Sequence, residues 1–65
     1  MRFTLNLLSE NELSIELADK LFENKFDDAL LYQKEGLVYL DFDRESIDQT
    51  ILELEKINVK SKEVK

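Results

Sequence analysis

Gly36-Leu37-Val38-Tyr39-Leu40-Asp41-Phe42-Asp43-Arg44 is the stretch whose reading decides the fold. Gly36, the only glycine, supplies a turn, and Val38, Leu40 and Phe42 then alternate with Tyr39 and Asp41 at the period of two that marks a half-buried strand. Asp43, Arg44, Glu45 and Ser46 stop the strand and a helical period follows, so the stretch reads as a central strand feeding a helix.

Immediately upstream, Ala29-Leu30-Leu31-Tyr32-Gln33 is short, apolar and bounded by polar residues. Lys34-Glu35-Gly36 leaves only enough chain for a hairpin turn, so this second strand is expected to pair antiparallel with the first. Downstream, Ile47, Ile51 and Leu54 recur at i, i+4 and i+7, with Leu52 and Ile57 flanking them and Asp48, Gln49, Glu53 and Glu55 outside. Asp43 or Ser46 caps that helix.

At the beginning of the chain, Phe3, Leu5 and Leu7 alternate with Arg2, Thr4 and Asn6 as a strand with one buried face. Ser9-Glu10-Asn11-Glu12 has the form of a capping box and predicts a helix start near residue 10, with Asn11 or Ser14 as caps for a later start. Leu13, Leu17 and Leu21, with Ala18 and Phe22, form its apolar face, opposite Glu16, Asp19, Lys20 and Glu23. Asn24 tolerates the left-handed conformation that ends helices, which predicts a stop around Asn24-Lys25 and a Phe26 folded back onto the core. Residues 58–65 are polar, with loosely spaced apolar positions, and predict a weak edge strand or a frayed basic tail.

The order is βαββα(β). In one α+β domain spanning residues 1–65, it implies a ferredoxin-like antiparallel sheet with two helices on one face. The other face is then bare. If Ala29, Leu31, Val38, Leu40 and Phe42 point to the helices, the pleat sends Leu30, Tyr32, Leu37 and Tyr39 to that face as a candidate interface. The competing reading is that tyrosines suit strands by propensity alone and that the tail covers part of the patch.

Composition narrows the chemistry. A chain of 65 residues buries only ~60% of its unfolded surface, so its stability margin is thin. It has no cysteine and no histidine, which removes thiolate chemistry, the usual zinc ligands and the usual neutral-pH acid/base. Ser9, Ser14, Ser46 and Ser61 therefore lack an ordinary activating base. Asp41 and Asp43 lie on one side of a strand and could hold magnesium, but a strand-end acid and a cap with Arg44 as counter-ion is the simpler reading. Asp27-Asp28 reads as turn chemistry. No catalytic residue, cofactor or metal is expected. No apolar run approaches a spanning helix and residues 1–8 lack the form of a signal peptide, so a cytoplasmic protein of a bacterium or phage is expected, with no membrane contact.

The net charge is −6 at pH 7. From Lys56 onward four lysines face one glutamate, a local +3, so the remainder carries −9. An acidic body disfavours direct nucleic acid binding and suits a basic partner, although charge also serves solubility alone.

Phe26-Asp27-Asp28-Ala29-Leu30 and Gly36-x-x-x-Leu40-Asp41-Phe42-Asp43-Arg44-Glu45, with Phe22-Glu23 before them, carry a resemblance. They resemble the N-terminal domain of a family of small bacterial proteins of unknown biochemical role, longer members of which are similar to helix-turn-helix regulators. The chain departs from that pattern in a shorter hairpin, an earlier second helix, Lys25 where a glycine is usual, and no DNA-binding part. Two functions follow as expectations. One is a non-enzymatic interaction module that dimerises, or docks a protein partner, through the tyrosine face. The other is an acidic inhibitor imitating nucleic acid, such as a phage anti-defence protein, with Glu16, Asp19, Glu23, Asp48, Glu53 and Glu55 as the mimic.

Overall fold

The computed structural model describes residues 1–64. Six elements follow one another: β1 (Arg2–Leu7), α1 (Ile15–Glu23), β2 (Leu30–Lys34), β3 (Leu37–Asp43), α2 (Ile47–Lys56) and β4 (Ser61–Glu63). The strands form one antiparallel sheet in the order β2-β3-β1-β4, the ferredoxin-like arrangement, with β3 and β1 at its centre.

The alternation of β3 governs the layering. Val38, Leu40 and Phe42 are buried and join Leu5 and Leu7 of β1, while the residues between them turn to the other side. Phe3 and Phe42 stand directly opposite in the β1–β3 ladder, with ring centroids 5.7 Å apart. Leu17 and Leu21 of α1 and Leu54 of α2 close this layer, together with Phe26 and Val59.

The hairpin between β2 and β3 turns on Glu35 and Gly36, both at positive φ (53° and 79°), between the paired residues Lys34 and Leu37. Two left-handed residues in a two-residue loop give the twist of a primed turn, which matches that of the strands. Glycine adopts this freely, whereas glutamate does so at a cost.

Both helices end in the same device. In α1 the Phe26 N–H donates to the Leu21 carbonyl (2.9 Å) and the Lys25 N–H to that of Phe22 (3.3 Å); in α2 the Val59 N–H donates to Leu54 (2.9 Å) and the Asn58 N–H to Glu55 (3.0 Å). These are paired Schellman closures, with Lys25 (φ 70°) and Asn58 (φ 65°) left-handed and an apolar residue next, here Phe26 and Val59, folded into the core. The expectation for Asn24 is corrected: it is the C-cap at φ −105°, and Lys25 takes the left-handed position.

Helix starts also differ from the capping-box reading. Ser14 caps α1 by accepting from the Leu17 N–H (3.1 Å), so residues 8–14 are loop. Ser9 instead accepts from the Lys60 N–H (3.2 Å), tying the end of β1 to the start of β4. Ser46 caps α2, and Asp43 ends β3.

The helix faces are narrower than their periodicity suggests. Only Leu17 and Leu21 of α1 are buried; Phe22 is 69% exposed, and Leu13 lies outside the helix. In α2 the buried pair is Thr50 and Leu54, with Ile47 and Ile51 packed at the margin. Thr50 enters the core because its hydroxyl donates to the Ser46 carbonyl (2.9 Å) and so carries no unmade hydrogen bond inward. The C-terminal stretch forms a three-residue edge strand on β1, extended by the Val64 N–H donating to the Thr4 carbonyl (2.9 Å). Lys65 lies outside the described residues.

Candidate functional site

Directly opposed residues of an antiparallel ladder share a face, so the register defines the open side of the sheet. Tyr32 opposes Tyr39, Leu30 opposes Asp41 and Lys34 opposes Leu37; across β1, Thr4 opposes Asp41 and Asn6 opposes Tyr39. The candidates Leu30, Tyr32, Leu37 and Tyr39 therefore do lie on the face away from the helices.

Their arrangement is a diagonal, not a block. The two tyrosine rings stack at its centre, with centroids 5.4 Å apart and planes 25° from parallel. Because the strands run in opposite directions, Leu30 and Leu37 fall at opposite ends, about 14 Å apart along the strand axis at ~3.4 Å per residue. Each leucine then has a charged neighbour across the ladder, Asp41 beside Leu30 and Lys34 beside Leu37. The leucines are 57% and 46% exposed and the tyrosines half-buried. The stripe is apolar along its length and has an acid on one side and a base on the other, a feature that the alternation alone does not show.

Asp41 is part of this face. It accepts from the Thr4 hydroxyl at 2.5 Å and lies near the Tyr32 phenol, whose pKa is raised by burial first and then by Asp41 and Tyr39. Asp43 pairs with the amino group of Met1 at 2.9 Å. The two acids thus have separate structural partners, and among the described residues no group of three acids comes together around a metal position.

Arg44 does something different from its expected role as counter-ion to Asp41 and Asp43. Its guanidinium carbon sits 4.4 Å from the centre of the Phe26 ring, and its nitrogens donate to Asp28 (3.0 Å), Glu53 (3.2 Å) and the Lys25 carbonyl (2.6 Å). It joins the end of α1, the start of β2 and the middle of α2. Asp28 is accordingly held below the ordinary carboxylate range, mainly by its hydrogen bond from Arg44. Glu53 is engaged by this contact, which removes one of the six helix acids from a free acidic array.

Among the described residues no helix is long and apolar enough to cross a membrane. Comparison with protein-family models, curated proteins and solved structures finds no match for this chain.

Proposed function

We propose that this chain is a non-enzymatic protein-interaction module that docks a protein partner, or a second copy, through the open sheet face at Leu30, Tyr32, Leu37 and Tyr39. The observation that carries this reading is the Tyr32–Tyr39 stack flanked by two exposed leucines on a sheet face that no helix covers. Tyrosine offers a large contact area at the cost of only two rotatable angles, and aromatic residues are enriched at interface centres. Asp41 and Lys34 at the margins would set the register of the partner and contribute orientation more than affinity. In this role the chain serves as a regulatory or accessory domain.

A photo-reactive amino acid at position 37 tests the proposal in cells. A covalent adduct, to another copy or to a different protein, is expected, and it should vanish in the Tyr32→Lys/Tyr39→Lys variant. No adduct, or one indifferent to the tyrosines, contradicts the reading.

A further inference from the structure

We propose that the occupant of the open sheet face is a second copy of this chain, the two sheets packing face to face with strands antiparallel about a two-fold axis through the tyrosine stack. The inference rests on the sheet-face reading and names the partner that the face fits.

The face carries opposite charges at equal distances from its centre. Asp41 and Lys34 each stand two residues along the ladder from the Tyr32–Tyr39 pair, in opposite directions, Asp41 beside Leu30 and Lys34 beside Leu37. Asp41 lies between the buried Leu40 and Phe42 of β3, and Lys34 follows Tyr32 by two residues in β2, so both belong to the open side. Neither has an ion-pair partner among the described residues. The Thr4 hydroxyl donates to Asp41, and a carboxylate has acceptor capacity beyond that one bond.

These charges select the direction of the axis. For two identical sheets packed face to face, the two-fold lies in the plane between them. Set along the strands, it brings each Asp41 beside the partner's Asp41 and each Lys34 beside the partner's Lys34. Set across the strands, it keeps β2 over β2 and reverses strand direction, so the Leu30–Asp41 row of one copy covers the Lys34–Leu37 row of the other. Each Lys34 then lays its stem on the partner's Leu30, and its ammonium stands one strand spacing, about 4.8 Å, to the side of the partner's Asp41. The two side chains approach from opposite walls of a gap of about 10 Å, which their combined length spans. The match occurs twice in the dimer. A face that a two-fold carries onto its own complement in this way fits a second copy of the chain.

The remaining charge is consistent with this packing. Sheet-to-sheet contact leaves both helix layers outside, so the exposed acids Glu16, Asp19 and Asp48 sit on the two outer surfaces of a pair whose members each carry −6. One like-charge contact is left. Lys62 opposes Asn6, which opposes Tyr39, so Lys62 lies in the tyrosine row and comes against its own copy.

Sedimentation of single and mixed charge variants at low salt tests the proposal, with circular dichroism to confirm that each keeps its fold. The wild type is expected to be dimeric on the order of 100 µM, a weak affinity suited to a small interface. Lys34→Asp and Asp41→Lys should each self-associate about tenfold more weakly, because each sets like charges against each other. Their equimolar mixture should associate to within about threefold of wild type, since every acid again faces a lysine. Should Asp41→Lys unfold, Asp41→Asn takes its place, and its mixture with Lys34→Asp should associate more tightly than Lys34→Asp alone. Lys62→Gln should tighten the dimer. A mixture no tighter than its components, or a dimer indifferent to both reversals, overturns the proposal. A monomeric wild type whose adduct at position 37 joins a different protein also overturns it, and leaves the sheet-face reading standing.

Discussion

The guanidinium of Arg44 lies over the ring of Phe26, with 4.4 Å between its central carbon and the ring centre. This contact explains why the two acidic motifs of the chain belong together. Phe26 and Asp28 come from the first, Arg44 from the second, and the side chain that leaves β3 locks the turn that enters β2.

Replacing Arg44 by lysine keeps the charge but loses the planar fork and the stacking. A cost of about 1–2 kcal/mol is expected, from a largely buried cation–π contact and the shared hydrogen bonds. Urea melts of Arg44→Lys beside wild type measure it; an unchanged midpoint would mean that the contact has no energetic role.

The same contact sets a pH dependence. The folded pKa of Asp28 is depressed by Arg44, so its contribution to stability is full above the ordinary carboxylate value and is lost as pH falls through the folded one. Wild-type stability should decline below about pH 4, and Arg44→Met should decline less over the same interval. Parallel acid limbs in the two proteins would contradict the assignment.

Lys25 at φ 70° gives a third test. A residue with a side chain in the left-handed region gives up roughly 1 kcal/mol relative to glycine at a helix terminus. Lys25→Gly is therefore expected to raise the melting temperature, whereas Asn24→Gly, at negative φ, is expected to lower it or leave it unmoved. An inverted order would move the helix end by one residue.

How far the fold was legible follows from particular residues. The β3 alternation, the Gly36 turn and the strand order rest on signals spanning a few neighbours, and the structure agrees with them. Ser9 ties two strands and does not cap a helix, because its partner, the Lys60 N–H, is 51 residues away, and no local pattern reveals it. Phe22 follows Ala18 by four residues and so belongs by spacing to the apolar face of α1, yet it is 69% exposed, and Phe26, folded back by the Schellman closure, is the buried ring at this end of the helix. Val59 could have been found by the same logic, since Asn58 before an apolar residue repeats the Lys25-Phe26 ending. The diagonal shape of the tyrosine face needed the register, which fixes that Leu30 meets Asp41 and Leu37 meets Lys34.

The two phenylalanines near α1 give a direct check of that packing. Phe26→Ala removes a ring that is 3% exposed and should cost about 3–5 kcal/mol, enough to unfold much of so small a domain. Phe22→Ala should change stability by no more than about 0.5 kcal/mol. Urea midpoints decide between them, and equal losses would return Phe22 to the core.

The claim that an apolar sheet face makes this chain an interaction module is tested most directly by the salt dependence of binding to the protein captured at position 37. Contact through Leu30, Tyr32, Leu37 and Tyr39 predicts an affinity that changes by less than about threefold between low and high salt and is abolished by Tyr32→Lys/Tyr39→Lys. An affinity that falls by about a hundredfold or more over the same range, with the tyrosine variant binding as wild type, would contradict it and point to the helix acids instead.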